Sequence, residues 1–173
     1  SWSDALWDST CLTSTLELEA QSGIILERRR LSIAASPETV SRVFTEIGGA
    51  RGWYFANWLW QIRGVVDRVI GGVGLRRGRR HPNELRMGDA VDFWRVEHLQ
   101  PGTSVRFKAE MKLPGKAWLQ FTATAQHDNS TVLEQIVGFA PKGLSGLMYW
   151  YALYPIHRII FHGLIRSIKS RAE

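Results

Sequence analysis

The side chains able to do chemistry are few and scattered. The five histidines stand at 81, 98, 127, 157 and 162 and make neither an HExxH motif nor an i,i+4 pair, so no metal site is expected. Cys11 is the single cysteine, which excludes an internal disulfide and a cysteine metal cage. No serine or cysteine nucleophile arrangement is present, nor a carboxylate pair at recognisable spacing. Gly72, Gly74 and Gly78 are spaced GxGxxxG and follow a helical pattern instead of a strand, so they read as a helix cap and a solvated turn, with Arg76, Arg77, Arg79 and Arg80 around them. Those arginines lack interleaved exposed aromatics, and no nucleic-acid partner is expected. His157 borders the apolar stripe of the last helical segment. It is either an edge histidine bonded to a backbone carbonyl or, with Asp92, Gln135 and Tyr149, one of the few polar groups converging on an apolar hollow. Should Asp92 and His157 meet at hydrogen-bonding distance, general acid/base chemistry is open to them.

Positioning these groups falls to an alternating segment. From Val105 to Leu113, apolar Val105, Phe107, Ala109, Met111 and Leu113 take one face and Arg106, Lys108, Glu110 and Lys112 the other, the period of a half-buried antiparallel strand. Pro114 and Gly115 reverse the chain, and Ala117, Leu119, Phe121, Ala123 and Ala125 alternate in the next strand. With a loop of Pro114, Gly115 and Lys116, Leu113 faces Ala117, Met111 faces Leu119, Ala109 faces Phe121 and Phe107 faces Ala123. A one-residue slip would bury Glu110 and Lys108. The small alanines leave room above the sheet for a helix, or for a helix and a ligand.

The neighbouring segments follow. Ile24–Ile33 is strand-like, and Arg28, Arg29 and Arg30 suggest an edge. Ser36, Pro37 and Glu38 make an N-cap, a first-position proline and a first-turn acid, predicting a short helix to Ile47, closed by Gly48 and Gly49. From about Ala56 to Ile70, Trp58, Leu59, Ile62, Val65, Val66, Val69 and Ile70 predict the core face of a second helix, with Gln61, Arg63, Asp67 and Arg68 opposite. A strand from Leu85–Asp89 to about Leu99 and a two-residue turn at Pro101-Gly102 would set Val96 opposite Phe107, Trp94 opposite Ala109 and Asp92 opposite Met111. Thr131 to Ala140 supplies a further strand whose Leu133, Gln135, Val137 and Phe139 join the inner face. Leu144 to Ala172 is helical, with Tyr149, Leu153, Ile156, Ile160, Leu164 and Ile168 in one stripe and Pro155 as a kink or restart. Trp94 is either core filler or the flat wall of a pocket. Trp118 falls on the outer face.

At 173 residues, 45% hydrophobic and 22% charged, the chain is long enough for one domain with a core and a pocket. Its eight tryptophans suit a large apolar interior or an interface, and its net charge of +6 admits acidic partners. Residues 1–22 show no sustained period and read as a linker or lead-in; 23–173 form the domain. The start lacks a secretory pattern and the longest apolar run, Leu147 to Phe161, is too short and too interrupted to span a bilayer, so a soluble cytoplasmic protein is expected. Ser1 in place of an initiator methionine fits a piece of a longer polypeptide.

The order strand, helix, helix, several antiparallel strands and one long C-terminal helix resembles the helix-grip fold of the superfamily of START domains, polyketide cyclases and birch-pollen-allergen-like proteins. The words GWYFANWLWQIRGVVDRVIGGVGLRRGRR, LRMGDAVDFWRVE, AEMKLPGKAWLQF and GLMYWYALYPIHRIIF, from about Ile24 to Ser167, resemble an uncharacterised domain family within it. Members occur as the C-terminal half of NAD(P)-binding short-chain dehydrogenase-like proteins of the NmrA type. The resemblance implies an α+β fold in which a curved antiparallel sheet wraps a long C-terminal helix around a cavity. It implies a hydrophobic small molecule as partner, an NAD(P)-binding Rossmann domain beside it in a fused protein, and no cofactor in this chain. The candidate ligand-binding residues are Trp94, Phe107, Met111, Phe121, Gln135, Tyr149, Leu153, His157 and Asp92. Three functions compete: a binding module, a cyclase or isomerase using Asp92 and His157, and a docking domain with a filled core and exposed aromatics.

Overall fold

Alternation in the sequence becomes one sheet in space. The computed structural model of the protein describes residues 15–21, 23–74 and 78–173. Strand β1 (Thr15–Gln21) and β2 (Ile24–Ile33) are followed by α1 (Pro37–Thr45) and α2 (Asn57–Val69). Then come β3 (Ala90–Val91), β4 (Trp94–Gln100), β5 (Ser104–Ala109), β6 (Gly115–Ala125), β7 (Thr131–Pro141) and α3 (Gly143–Ala172). Among the described residues the seven strands form a single antiparallel sheet in the order β1-β2-β7-β6-β5-β4-β3. The curved sheet and the long C-terminal helix make an α+β fold of the helix-grip type.

The inner face is the one the alternation marks out. Phe107, Leu119, Phe121, Leu133, Val137 and Phe139 are buried on it, while Lys108 is exposed and Arg95 pairs with Glu110 outside. Ser36 caps α1 by accepting from the Thr39 amide at 3.3 Å, with Pro37 in the first turn. Val40 and Phe44 of α1, with Leu164, Ile165 and Ile168 of α3, cover one half of that face. Helix α3 runs unbroken through Pro155, so the expected restart does not occur.

Several expectations need correction. Part of the lead-in, 15–21, is strand β1, whose TLELEAQ alternates too briefly to stand out beside an unpatterned start; residues 1–14 and 22 lie outside the described residues, as do Arg76 and Arg77. Strand β2 is therefore interior, and its three arginines are accommodated by acids: Arg30 bonds Glu134 at 2.7 Å, Arg28 lies 3.8 Å from it, and buried Arg29 pairs with buried Glu27. The β5–β6 register differs by four residues, with Phe107 opposite Leu119 and Lys108 opposite Trp118. Parity is kept, so the faces are right although the partners are not. Val96 does face Phe107 and Trp94 faces Ala109, through a bulge between Val96 and His98 that offsets a three-residue turn. Asp92 does not face Met111; it sits at φ +54° in the turn joining β3 to β4. In α3, Ile156 is partly exposed at the edge of the stripe, and Trp150, outside the stripe, is buried.

The register differs because five residues, 110–114, leave the ladder to serve other partners. The Glu110 amide donates to Phe93 O (2.8 Å), Arg63 donates to Lys112 O (2.9 Å), and the Lys142 amide at the start of α3 donates to Pro114 O (2.9 Å). The Lys112 amide donates to Asp67 at 2.7 Å, and Asp67 also accepts from the Gly74 amide at 2.9 Å. Asp67 is wholly buried, opposite to the solvated place its charge suggests. A side chain at Gly72 would run into this carboxylate, which is why the turn after α2 is glycine-rich.

Asp67→Ala leaves two amide donors without a partner in a buried site, and we expect it to cost roughly 2–4 kcal/mol of stability. Urea unfolding of the variant against the parent measures this; a loss below about 0.5 kcal/mol would mean that Asp67 does not hold the loop.

Candidate functional site

The inner face is filled unevenly. Trp53, Trp60, Phe93 and Trp94 form an aromatic block, with Trp53 and Trp60 stacked at 4.8 Å and Trp60 and Phe93 at 5.7 Å. Asp92 Oδ2 fixes it by accepting from Trp53 Nε1 at 2.9 Å and from the Gly49 amide at 3.1 Å. On the other side, Phe139 stacks on Trp150 at 5.4 Å. Between the two lies a hollow of about 520 Å³, bounded by α2, the sheet, the 111–114 link and the first half of α3.

Five of the nine predicted residues line this hollow: Trp94, Met111, Tyr149, Leu153 and His157. The other four lie elsewhere. Phe107 meets Trp53 edge-on at 6.4 Å and Phe121 stacks on Phe44 at 5.7 Å, both within the filled half. Gln135 donates to Phe161 O at 3.1 Å beneath α3. Asp92 holds the aromatic block and does not line the hollow, so Asp92 and His157 are not brought together there. Even inner-face residues end up in either half according to which helix covers them, and a single sequence does not carry that information.

Trp60, Arg63, Ala117, Trp150 and Phe161 also line the hollow and were not among the candidates. Trp60, Gly64 and Asp67 are the buried residues of α2, at helical spacing 60, 64 and 67. That spacing was readable, but two of the three residues are not apolar. The apolar stripe chosen from the sequence divides instead: Leu59, Ile62, Val66 and Ile70 line the hollow, the last three of them partly exposed at its rim, while Trp58, Val65 and Val69 point outward.

The polar content is small. Trp60 Nε1, His157 Nδ1 and Arg63 Nη1 are buried without a hydrogen-bond partner, the last of them 3.7 Å from the Asp67 carboxylate. Burial, helped by the Arg63 charge, pushes His157 down from 6.5 to about 4, so its ring is neutral at pH 7. A neutral imidazole can orient a ligand by one hydrogen bond, but at that basicity it is a weak proton acceptor. Among the described residues no group of three His, Cys, Asp or Glu could hold a metal ion. No helix among them is long and apolar enough to cross a membrane. The basic turn is engaged locally, with Arg79 donating to Ile47 O at 2.8 Å and Arg80 pairing with Asp89 at 3.1 Å.

Comparison with known proteins gives a family and a fold. The family model described as "Protein of unknown function (DUF2867)" matches residues 24–164. No curated protein matches the sequence. Among solved structures, the Zhui aromatase/cyclase from Streptomyces sp. R1128 is 12% identical, with a TM-score of 0.52 over 86% of this chain and 93% of that one. The di-domain ARO/CYC StfQ from the steffimycin biosynthetic pathway is 13% identical, with a TM-score of 0.51 over 86% of this chain and 50% of that one. Truncated norcoclaurine synthase from Thalictrum flavum is 7% identical, with a TM-score of 0.51 over 91% and 94%. At such identities the likeness is one of fold.

The depressed His157 value has a signed consequence. The unfolded chain takes up a proton near pH 6.5 and the folded one only near 4, so stability is lost as pH falls through that interval. We expect the urea midpoint of the parent to drop more between pH 7 and pH 4.5 than that of His157→Phe; equal drops would contradict a buried neutral imidazole.

Proposed function

Because the chain belongs to the DUF2867 family, whose description assigns no activity, its function has to come from the site, and we propose that it binds a hydrophobic or aromatic small molecule in the hollow between sheet and α3. The observation that carries this is the hollow of about 520 Å³, walled by Trp94, Met111, Leu153 and Phe161 and offered only isolated polar groups. A space of that size suits a molecule of two to four rings. A neutral His157, the Trp60 indole N–H and the Arg63 guanidinium favour a ligand whose apolar body carries a hydrogen-bond-accepting oxygen or nitrogen.

The solved neighbours named as aromatase/cyclases and as norcoclaurine synthase support binding of such molecules in this fold. In a longer cytoplasmic polypeptide the domain would present its ligand to an NAD(P)-binding Rossmann half, or sense it on that half's behalf. A cyclase or isomerase reading draws less support, since the hollow offers His157 without Asp92 as its partner. A filled-core docking domain is disfavoured by the volume left open.

The neutral dye N-phenyl-1-naphthylamine tests the proposal. The parent should bind it saturably with a blue-shifted emission. Ala117→Trp, which fills the hollow from β6, should weaken binding about tenfold or more while the fold is retained by circular dichroism. Unsaturable binding, or binding unchanged by Ala117→Trp, would contradict it.

A further inference from the structure

The mouth of the hollow is its least ordinary part. Ile62 and Val66 of α2, Ile70 just after it and Ile156 of α3 line the hollow and are also exposed, so the rim itself is apolar. The apolar surface continues outward along α2, where Trp58 is 62% and Val69 80% exposed. On α3, Met148, Tyr151 and Ile159 are exposed as well. Isolated exposed apolar residues are ordinary, but two neighbouring helices whose outward faces are both apolar make a surface that water disfavours.

Among the described residues, the exposed charges of the two helices have one sign. Asp67, the single acid of α2, is buried and bonded, and α3 contains no Asp or Glu between Gly143 and Ala172. Exposed Arg68 stands in the last turn of α2, Lys112 reaches toward Gly71 at the end of that helix, and Lys142 opens α3. We propose that this face docks on an anionic phospholipid surface, with the apolar residues entering the headgroup boundary and the cations meeting lipid phosphates. A second copy of the chain is a poorer occupant, because a two-fold contact would set the cationic rim against itself. A lipid surface also meets the mouth directly, giving an apolar ligand a route between bilayer and hollow without crossing water. That loading route rests on the binding function proposed above; the surface contact does not.

Co-sedimentation of the full chain with vesicles tests it, using phosphatidylcholine alone and a 7:3 mixture of phosphatidylcholine and phosphatidylglycerol. The chain should pellet with the mixed vesicles, more weakly with the neutral ones, and less at high salt. The double variant V65E/V69E lies outside the hollow's lining, so it should lose roughly tenfold or more of the vesicle binding and keep the dye binding of the parent. No pelleting on mixed vesicles, or pelleting unchanged by V65E/V69E, would overturn the proposal. So would a dimer in light scattering that V65E/V69E dissociates without any vesicle binding by the parent, which would give the face to a second copy. A monomer that ignores the vesicles would leave it to a protein partner and equally overturn it. Dye binding that survives any of these results leaves the hollow's function standing.

Discussion

One buried carboxylate decides how α2 sits on this protein. Asp67 accepts from the Lys112 and Gly74 amides and lies 3.7 Å from Arg63, so the last turns of α2 are fastened to the link between β5 and β6 and to the turn that follows the helix. An acid withdrawn from water is tolerable only with such partners, and they in turn must stay where the acid can reach them. The cost appears in the sheet. Residues 110–114 give up strand pairing to satisfy Asp67, Arg63, Phe93 and the start of α3, which shortens the β5–β6 ladder at the end where the hollow opens.

The inner face is thereby divided. At one end α1 and the later turns of α3 pack down on Phe121, Leu133 and Ile33 in the manner of an ordinary core. At the other, α2 reaches inward chiefly through Trp60, and α3 approaches with Trp150 and Phe161. Rigid rings spanning a gap leave space between them that flexible side chains would have closed. The tryptophan-rich composition is therefore part of why a hollow persists, because Trp53, Trp60 and Phe93 stack with one another, Trp94 packs tilted against them, and together they brace its wall.

Much of this arrangement is legible in the sequence. Strict alternation fixed which side of β5, β6 and β7 faces inward, and Ser36-Pro37 marked the start of α1, because both signals are local. Register depended on Asp67, some 45 positions from Lys112, and no local pattern reports that partnership. The face of α2 was misread for a different reason. Its apolar stripe is real but straddles the rim: Leu59, Ile62, Val66 and Ile70 line the hollow, Trp58, Val65 and Val69 face outward, and Trp60, Gly64 and Asp67 take the buried side. The same limit applies to the site. Trp94, Met111, Tyr149, Leu153 and His157 line the hollow, whereas Asp92 and Gln135, equally inward by parity, serve Trp53 and Phe161 as hydrogen-bond partners.

The binding function proposed for the hollow rests on its chemistry: a histidine whose basicity burial has lowered, an indole N–H, a guanidinium and aromatic walls. Native mass spectrometry of the chain purified from cells is the most direct measurement. A population carrying a discrete mass of a few hundred daltons, lost on denaturation and absent from Ala117→Trp, is the predicted result. A bare chain mass that no neutral multi-ring compound increases would contradict it.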